Sequence, residues 1–369
     1  MSFRNRSVDY VKNGGDPFCS PQIRAGAGFD TKIAGKDWIS QTSLEDTIAA
    51  VSRFGIVPLI NVGLPDFGMC NPDLQWNMVA QQIGEERIIT DSELNTSVGT
   101  LHQTVVEDKR KGAFRKEPPA KCVDDLGVLE YYIDAALASD LSPLREQIAS
   151  VVSAISGRAA LSIQWAMQPY ELLCFPDTVT TVMLAFDAPE LFRRIMDKIL
   201  KLDVRILPIV ADGGADFVFL GAPAAEMVSP RYYEEFIIPY SRELTEEVHS
   251  RGLLVYSHIC SPIEPFLKMG YYNRMGIDVF ETLSPPPVGN VASLKDAMSE
   301  IDPEICTRGN VGLDVLLNGT PETVRSVTQE VLSATAGRKH IVAASDYLFY
   351  DIPEENVHAM ADVVCGSSP

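Results

Sequence analysis

The chain has 369 residues, 46% hydrophobic and 22% charged, which are the values of a folded globular protein with ample material for a core. Its net charge of −19 repels nucleic-acid phosphates and anionic membrane surfaces alike, so neither is an expected partner. Seven scattered cysteines, an amino terminus without the apolar core of a signal peptide, and the lack of any run near the ~20 apolar residues of a membrane span together predict a cytoplasmic protein.

Taken in chain order, short aliphatic runs closed by Gly, Pro, Ser or Asn alternate with longer amphipathic stretches. Residues 56–62 read as the first firm strand. Residues 86–106 differ, because two β-rich runs flank a polar Asp-Ser-Glu-Leu-Asn-Thr stretch, which predicts an inserted β-hairpin. A basic segment over 109–121 leads into a helix over 123–138. Strands then follow at 160–165, 215–220, 253–257, 277–281, 304–308 and 341–344. The helices between them are clearest at 189–202, with a stripe of Leu191, Ile195, Ile199 and Leu202, and at 230–249 and 321–333, where Ser229 and Thr320 precede a proline in the first turn.

Seven strands separated by helices call for parallel pairing with right-handed crossovers. No strand is followed by Gly-x-Gly-x-x-Gly or by a Gly-Lys-Ser/Thr loop, and Gly26, Gly28, Gly213 and Gly214 are spaced for turns, so an open nucleotide-binding sheet is the poorer reading. The expected fold is an α/β (β/α)8 TIM barrel with a hairpin inserted in its amino-terminal half, residues 1–369 forming a single domain. The eighth strand is expected near 20–25 or 87–90.

In such a barrel the working groups sit at the carboxyl ends of the strands. Those ends carry Asn61, Gln164, Glu226 beyond strand 215–220, His258 with Cys260, Glu281, Asn310 and Asp346. Residues two apart in an extended strand point the same way, so His258-Ile-Cys260 aims an imidazole and a thiol into one small volume. Zinc accepts sulfur, imidazole nitrogen and carboxylate oxygen, and Glu281 and Asp346 end strands beyond that pair. Cys306 competes as a ligand but lies four residues before Asn310, about 13 Å lower at the usual strand rise, and reads better as a core thiol. Each polar residue also has a plain structural reading: Asn61 and Asn310 as turn formers, Glu226 as a helix cap, His258 as a hydrogen-bonded core histidine. Tyr232, Tyr233 and Phe236 fall at helical spacing and read as core.

Three segments resemble the uroporphyrinogen decarboxylase superfamily: His258-Ile-Cys260, Gly309-Asn-Val311 with the following Leu-Asn-Gly-Thr-Pro-Glu-Thr-Val324, and Ile352-Pro-Glu-Glu-Asn356. The resemblance runs from about residue 200 to the end and implies a (β/α)8 barrel. Metal-free decarboxylases of that superfamily hold substrate carboxylates with the arginines of an Arg-Gln-Ala-Gly-Arg stretch. The counterpart here, Arg24-Ala-Gly-Ala-Gly28, lacks the second arginine.

The other branch comprises zinc-dependent methyltransferases that serve corrinoid proteins, and its zinc motif is His-x-Cys with a distant Cys. His258 and Cys260 carry over directly, and Asp346 stands where that branch has the distant cysteine, so that either Asp346 replaces it as an oxygen ligand, the favoured reading, or the site is incomplete. The resemblance therefore implies Zn²⁺ on His258, Cys260 and Asp346; Glu226, Glu281 and Asn310, from the strand ends, are the catalytic candidates. Gly99-Thr-Leu-His-Gln103 and Lys121-Cys-Val-Asp-Asp125 look like the members that demethylate methoxylated compounds. The implied activity moves a methyl group from a small methylated donor, a methyl ether, to a corrinoid (cobalamin) carried by a partner protein. The alternatives are a metal-free tetrapyrrole decarboxylase and a non-catalytic binding barrel.

Overall fold

The structure is a computed structural model, and it describes residues 3–366 apart from 22, 24–26, 55–58, 65, 166–176 and 224. In chain order β1 (Leu59–Leu64) is followed by β2 (Asn77–Ile83), β3 (Arg87–Thr96), β4 (Gly99–Asp108) and β5 (Gly112–Glu117). Then come β6 (Ala160–Trp165), β7 (Phe217–Gly221), β8 (Leu254–His258), β9 (Val279–Glu281), β10 (Cys306–Val311) and β11 (His340–Ala344). β1 and β6 to β11 form one parallel sheet in the order β1-β6-β7-β8-β9-β10-β11, with helices on the connections. Every residue of β6 to β11 is buried, as expected for parallel strands covered on both faces, and the architecture is α/β and TIM-barrel-like.

All seven expected parallel strands are present, 160–165 with the expected bounds and the others with ends shifted by at most three residues. The eighth differs from expectation. Residues 87–90 belong to the second sheet, and what stands next to β11 is an isolated parallel bridge from Cys19 to Val342, flanked by Ser20 N–H to Val342 O (2.9 Å) and Val342 N–H to Phe18 O (3.1 Å). The arginine-glycine stretch that begins at Arg24 lies outside the described residues at 24–26.

Where a hairpin over 86–106 was expected, β2 to β5 form a separate four-stranded antiparallel sheet whose centre is the β3–β4 pair. The flanking strands lack apolar alternation because they have little core to face. β2 is exposed along its whole length, whereas Leu94 of β3 and Leu101 of β4 are sealed against the helix Val123–Ala138 side of the molecule.

Helices follow the sequence closely. Ser229 Oγ accepts from Tyr232 N–H and Thr320 Oγ1 from Thr323 N–H, the capping bonds that start these segments. The 189–202 helix continues to Gly213 despite Pro208, since Ile206, Leu207, Ile209 and Val210 prolong the buried stripe. At the floor of the barrel the amino-terminal helix Phe3–Asn13 contributes Tyr10, which packs with Phe18, Phe217, Leu254, Cys306 and Ile341. No helix among the described residues is long and apolar enough to cross a membrane.

Candidate metal-binding site

The carboxyl end of β8 sets the site. Tyr256, His258 and Cys260 lie two apart, with His258 the last residue of the strand. Glu281 ends β9 and stands level with His258 in the ladder, while Asp346 lies two residues beyond β11. One ligand atom each from His258, Cys260 and Asp346 lie within 4.8 Å of one another. His258 Nε2 is 3.6 Å from Asp346 Oδ1. A tetrahedral zinc with ordinary bond lengths places its ligand atoms about 3.3–3.7 Å apart, so the imidazole and carboxylate already stand at ligand spacing.

The donors are held from behind. His258 Nδ1–H donates to Glu281 Oε1, which fixes the ring and turns Nε2 toward Asp346 and Cys260. Glu281 is fully buried, accepts from the Tyr256 hydroxyl, and forms an ion pair with Arg308 at 3.0 Å. The His258 ring is stacked with Tyr347 at 4.7 Å between centroids and with Phe219 at 6.3 Å, the ring planes inclined by 18° and 28°. Tyr347 N–H donates to Asp346 Oδ1 at 2.7 Å, so the carboxylate is braced by the turn that carries it. Soft, intermediate and hard donors together suit Zn²⁺, and side chains of 8% and 15% exposure for His258 and Asp346 leave a dry approach with an open side.

The other candidates are placed as follows. Asn61 lies in the middle of β1, not at its end, and its Nδ2 donates to Gln164 Oε1 of β6 at 2.8 Å. Asn310 is buried and donates from Nδ2 to Leu283 O at 2.9 Å; it also borders a recess with Pro285, Pro286, Leu294 and Gly312. Glu226 is exposed on the turn after β7, a strand whose last residue, Gly221, is level with His258. Cys306 is buried in the barrel floor, where burial pushes its thiol up to about 12, so it is a core thiol as its position predicts. Tyr232, Tyr233 and Phe236 are core aromatics.

Sequence reasoning passed over Arg308, Tyr256 and Tyr347. A signal existed for the first two: an arginine in the middle of a barrel strand, and a tyrosine on the same strand face as the histidine two residues on. Tyr347 carried none beyond following Asp346.

A family model described as uroporphyrinogen decarboxylase (URO-D) matches residues 82–366. Uroporphyrinogen decarboxylase of Gluconobacter oxydans (strain 621H) is 23% identical over 237 residues, 61% of this chain and 64% of that protein. The protein of the same name from Prochlorococcus marinus (strain NATL1A) is 23% identical over 296 residues, 78% and 80% of the two chains. The chain spans between 59% and 64% of the length of three of these relatives. Among solved structures, a methyltransferase from Methanosarcina mazei superposes over 99% of both chains with a TM-score of 0.66 and 14% identity, a likeness of fold. With the model covering well over half of its length, the chain belongs to the uroporphyrinogen decarboxylase family.

Proposed function

We propose that the protein is a zinc-dependent methyltransferase that moves a methyl group from a small methyl ether to a corrinoid held by a partner protein. The observation that carries this reading is the convergence of His258, Cys260 and Asp346 at the carboxyl ends of β8 and β11, within 4.8 Å. A metal-free decarboxylase has no use for a thiol, an imidazole and a carboxylate gathered at one point. The fold likeness to the methyltransferase from Methanosarcina mazei is in keeping with it.

His258, Cys260 and Asp346 would hold the ion; what it supplies there when bound is Lewis acidity toward the ether oxygen of the donor. A carboxylate in place of a second thiolate suits an oxygen donor better than a sulfur one, because harder ligands leave the ion more strongly polarising. Glu281 keeps the Nδ1 proton of His258 engaged and so reserves Nε2 for the site. Tyr347 and Phe219 flank the imidazole and exclude water from it. Asn310 and Glu226 are assigned to contacts with the donor or the incoming partner at the mouth. Transfer would break the methyl–oxygen bond with both electrons staying on oxygen, the methyl group would pass to the electron pair that a reduced corrinoid on the partner would offer, and the oxygen would leave as an alcohol or phenol after gaining a proton.

The test has two parts: metal content of the purified protein, then methyl transfer from methoxylated aromatic and aliphatic donors to a reduced corrinoid protein. One zinc per chain and donor-dependent methylation support the reading. The curated relatives named uroporphyrinogen decarboxylase favour a second one, metal-free decarboxylation of a tetrapyrrole. A protein that takes up no zinc and releases CO₂ from such a substrate would establish that instead.

A further inference from the structure

Arg308 is a buried cation in the middle of β10, 2% exposed, and its contacts reach in two directions. On one side Nη1 donates to the Tyr256 hydroxyl at 2.8 Å and pairs with Glu281 Oε2 at 3.0 Å. On the other, Nε and Nη2 donate to the Ser20 carbonyl at 3.1 and 2.6 Å, with Nη2 also 3.3 Å from Ser20 Oγ and 3.4 Å from the Pro21 carbonyl. The guanidinium therefore holds both the carboxylate behind His258 and the segment beside β11, where Cys19 bridges Val342. A planar fork with five donors, always charged, can satisfy both sides at once; an ammonium cannot.

We propose that Arg308 is a positioning residue that couples the seating of the Phe18–Pro21 segment on β11 to metal affinity at His258, Cys260 and Asp346, a role that rests on the zinc reading above. With Oε2 of Glu281 anchored by Arg308, Oε1 is aimed at His258 Nδ1, and the orientation of Nε2 depends on where the guanidinium sits. The guanidinium in turn sits where the Ser20 carbonyl holds it. Coupling of this kind is reciprocal: if the seated segment tightens metal binding, metal binding must seat the segment by the same factor.

The experiment compares the wild type with Arg308→Lys, Glu281→Gln and the double variant Arg308→Met/Glu281→Gln, which leaves neither charge buried without a partner. Zinc affinity is read by competition with a chromogenic chelator, and amide hydrogen exchange at Ser20 and Val342 is read with and without zinc. Zinc is expected to slow exchange at both amides in the wild type and at neither in the double variant. Arg308→Lys keeps the charge without the fork and should lower affinity about tenfold, while Glu281→Gln lowers it about 10–100-fold. Because Arg308 acts through Glu281, the double variant should bind no more weakly than Glu281→Gln alone. Wild-type affinity in folded Arg308→Lys, or wild-type exchange at Ser20 indifferent to zinc, overturns the inference while the metal site stands. If the double variant does not fold, the lysine variant and the wild-type exchange decide the matter. A wild type that takes up no zinc overturns the site and the inference together.

Discussion

Two buried histidines stand at opposite ends of the same parallel sheet, and they are employed differently. His340 opens β11 at the floor, where Nδ1 meets the Thr307 hydroxyl at 2.8 Å and Nε2 meets the Gly309 carbonyl at 2.8 Å. Both nitrogens are spent on the fold, and burial pushes its pKa down to about 4. His258 closes β8 at the mouth, where Nδ1 is engaged by Glu281 and Nε2 is turned to a carboxylate and a thiol. Burial alone does not separate a structural histidine from a candidate ligand. What separates them is the chemistry facing the second nitrogen, and two cysteines repeat the lesson: Cys306 is sealed among aromatic and aliphatic side chains, while Cys260 is half-buried beside His258.

The widest break in that comparison comes from removing a ligand at each end. Cys260→Ala should lose nearly all bound zinc and more than about a hundredfold in methyl transfer, while keeping its fold, because the thiol contributes little packing at a half-buried site. Cys306→Ala should keep its zinc and instead lose about 1–2 kcal/mol of stability through a small cavity in the floor. Metal analysis and urea unfolding of the two proteins, side by side, check both halves; zinc retained by the Cys260 variant would end the case for the site.

Glu281→Gln is next in size. It leaves Arg308 buried without its counterion, so about 3–5 kcal/mol of stability should go together with about 10–100-fold in metal affinity. Glu226→Gln is the contrast: an exposed residue on a turn should leave stability within about 0.5 kcal/mol and act on transfer alone. Thermal unfolding and turnover measured on both variants distinguish a residue that orients the site from one that meets the donor or partner, and a Glu226 variant with full turnover returns that residue to the ordinary surface.

The parallel strands and the meeting of His258 with Cys260 were legible in the sequence because both have short periods. Runs of β-branched residues buried on two faces announce barrel strands, and a spacing of two places His258 and Cys260 together. The second sheet was half legible: β3 and β4 carry Leu94 and Leu101, whereas β2 is wholly exposed and leaves no alternation to read. The segment beside β11 was legible only as one of two alternatives, near 20–25 or 87–90, for another reason. It meets the sheet by one bridge at Cys19, too short a pairing to impose a pattern on its residues. Arg308 was visible as a charge inside a strand, but its partners were hidden by distance, since Ser20, Tyr256 and Glu281 are brought to it only by the folded chain.

The floor histidine also predicts an acid response. Neutral in the fold and with a pKa of about 4 against an ordinary 6.5, His340 binds its proton more readily in the unfolded chain. Its contribution is present above pH 6.5 and is lost as pH falls from 6.5 toward 4, about 3 kcal/mol over the whole interval. Urea unfolding at pH 7 and pH 4.5 should therefore show a steeper acid loss in the wild type than in His340→Gln. Equal slopes would mean that the imidazole is not held neutral.

A third histidine supplies the smallest effect and the opposite sign. His249, at the end of the helix Ile238–Ser250, puts Nε2 2.8 Å from Asp278 Oδ2, and that hydrogen bond raises its pKa against a smaller opposing cost of burial. The protonated form is the one favoured in the fold, so its contribution is complete below the ordinary pKa of 6.5 and is lost as pH rises through the raised value. Its side chain is 42% exposed, so solvent screens the pair and the effect should be under about 1 kcal/mol, weaker still in high salt. Asp278 has a second duty, accepting from Val255 N–H at 2.6 Å, and so the change should be made at the histidine. His249→Gln is expected to flatten stability between pH 6 and pH 8 by a few tenths of a kcal/mol at low ionic strength, with metal affinity untouched. A change in zinc binding in this variant would mean that a histidine on the outer surface reaches the mouth of the barrel, and the division of labour drawn between the three positions would have to be redrawn.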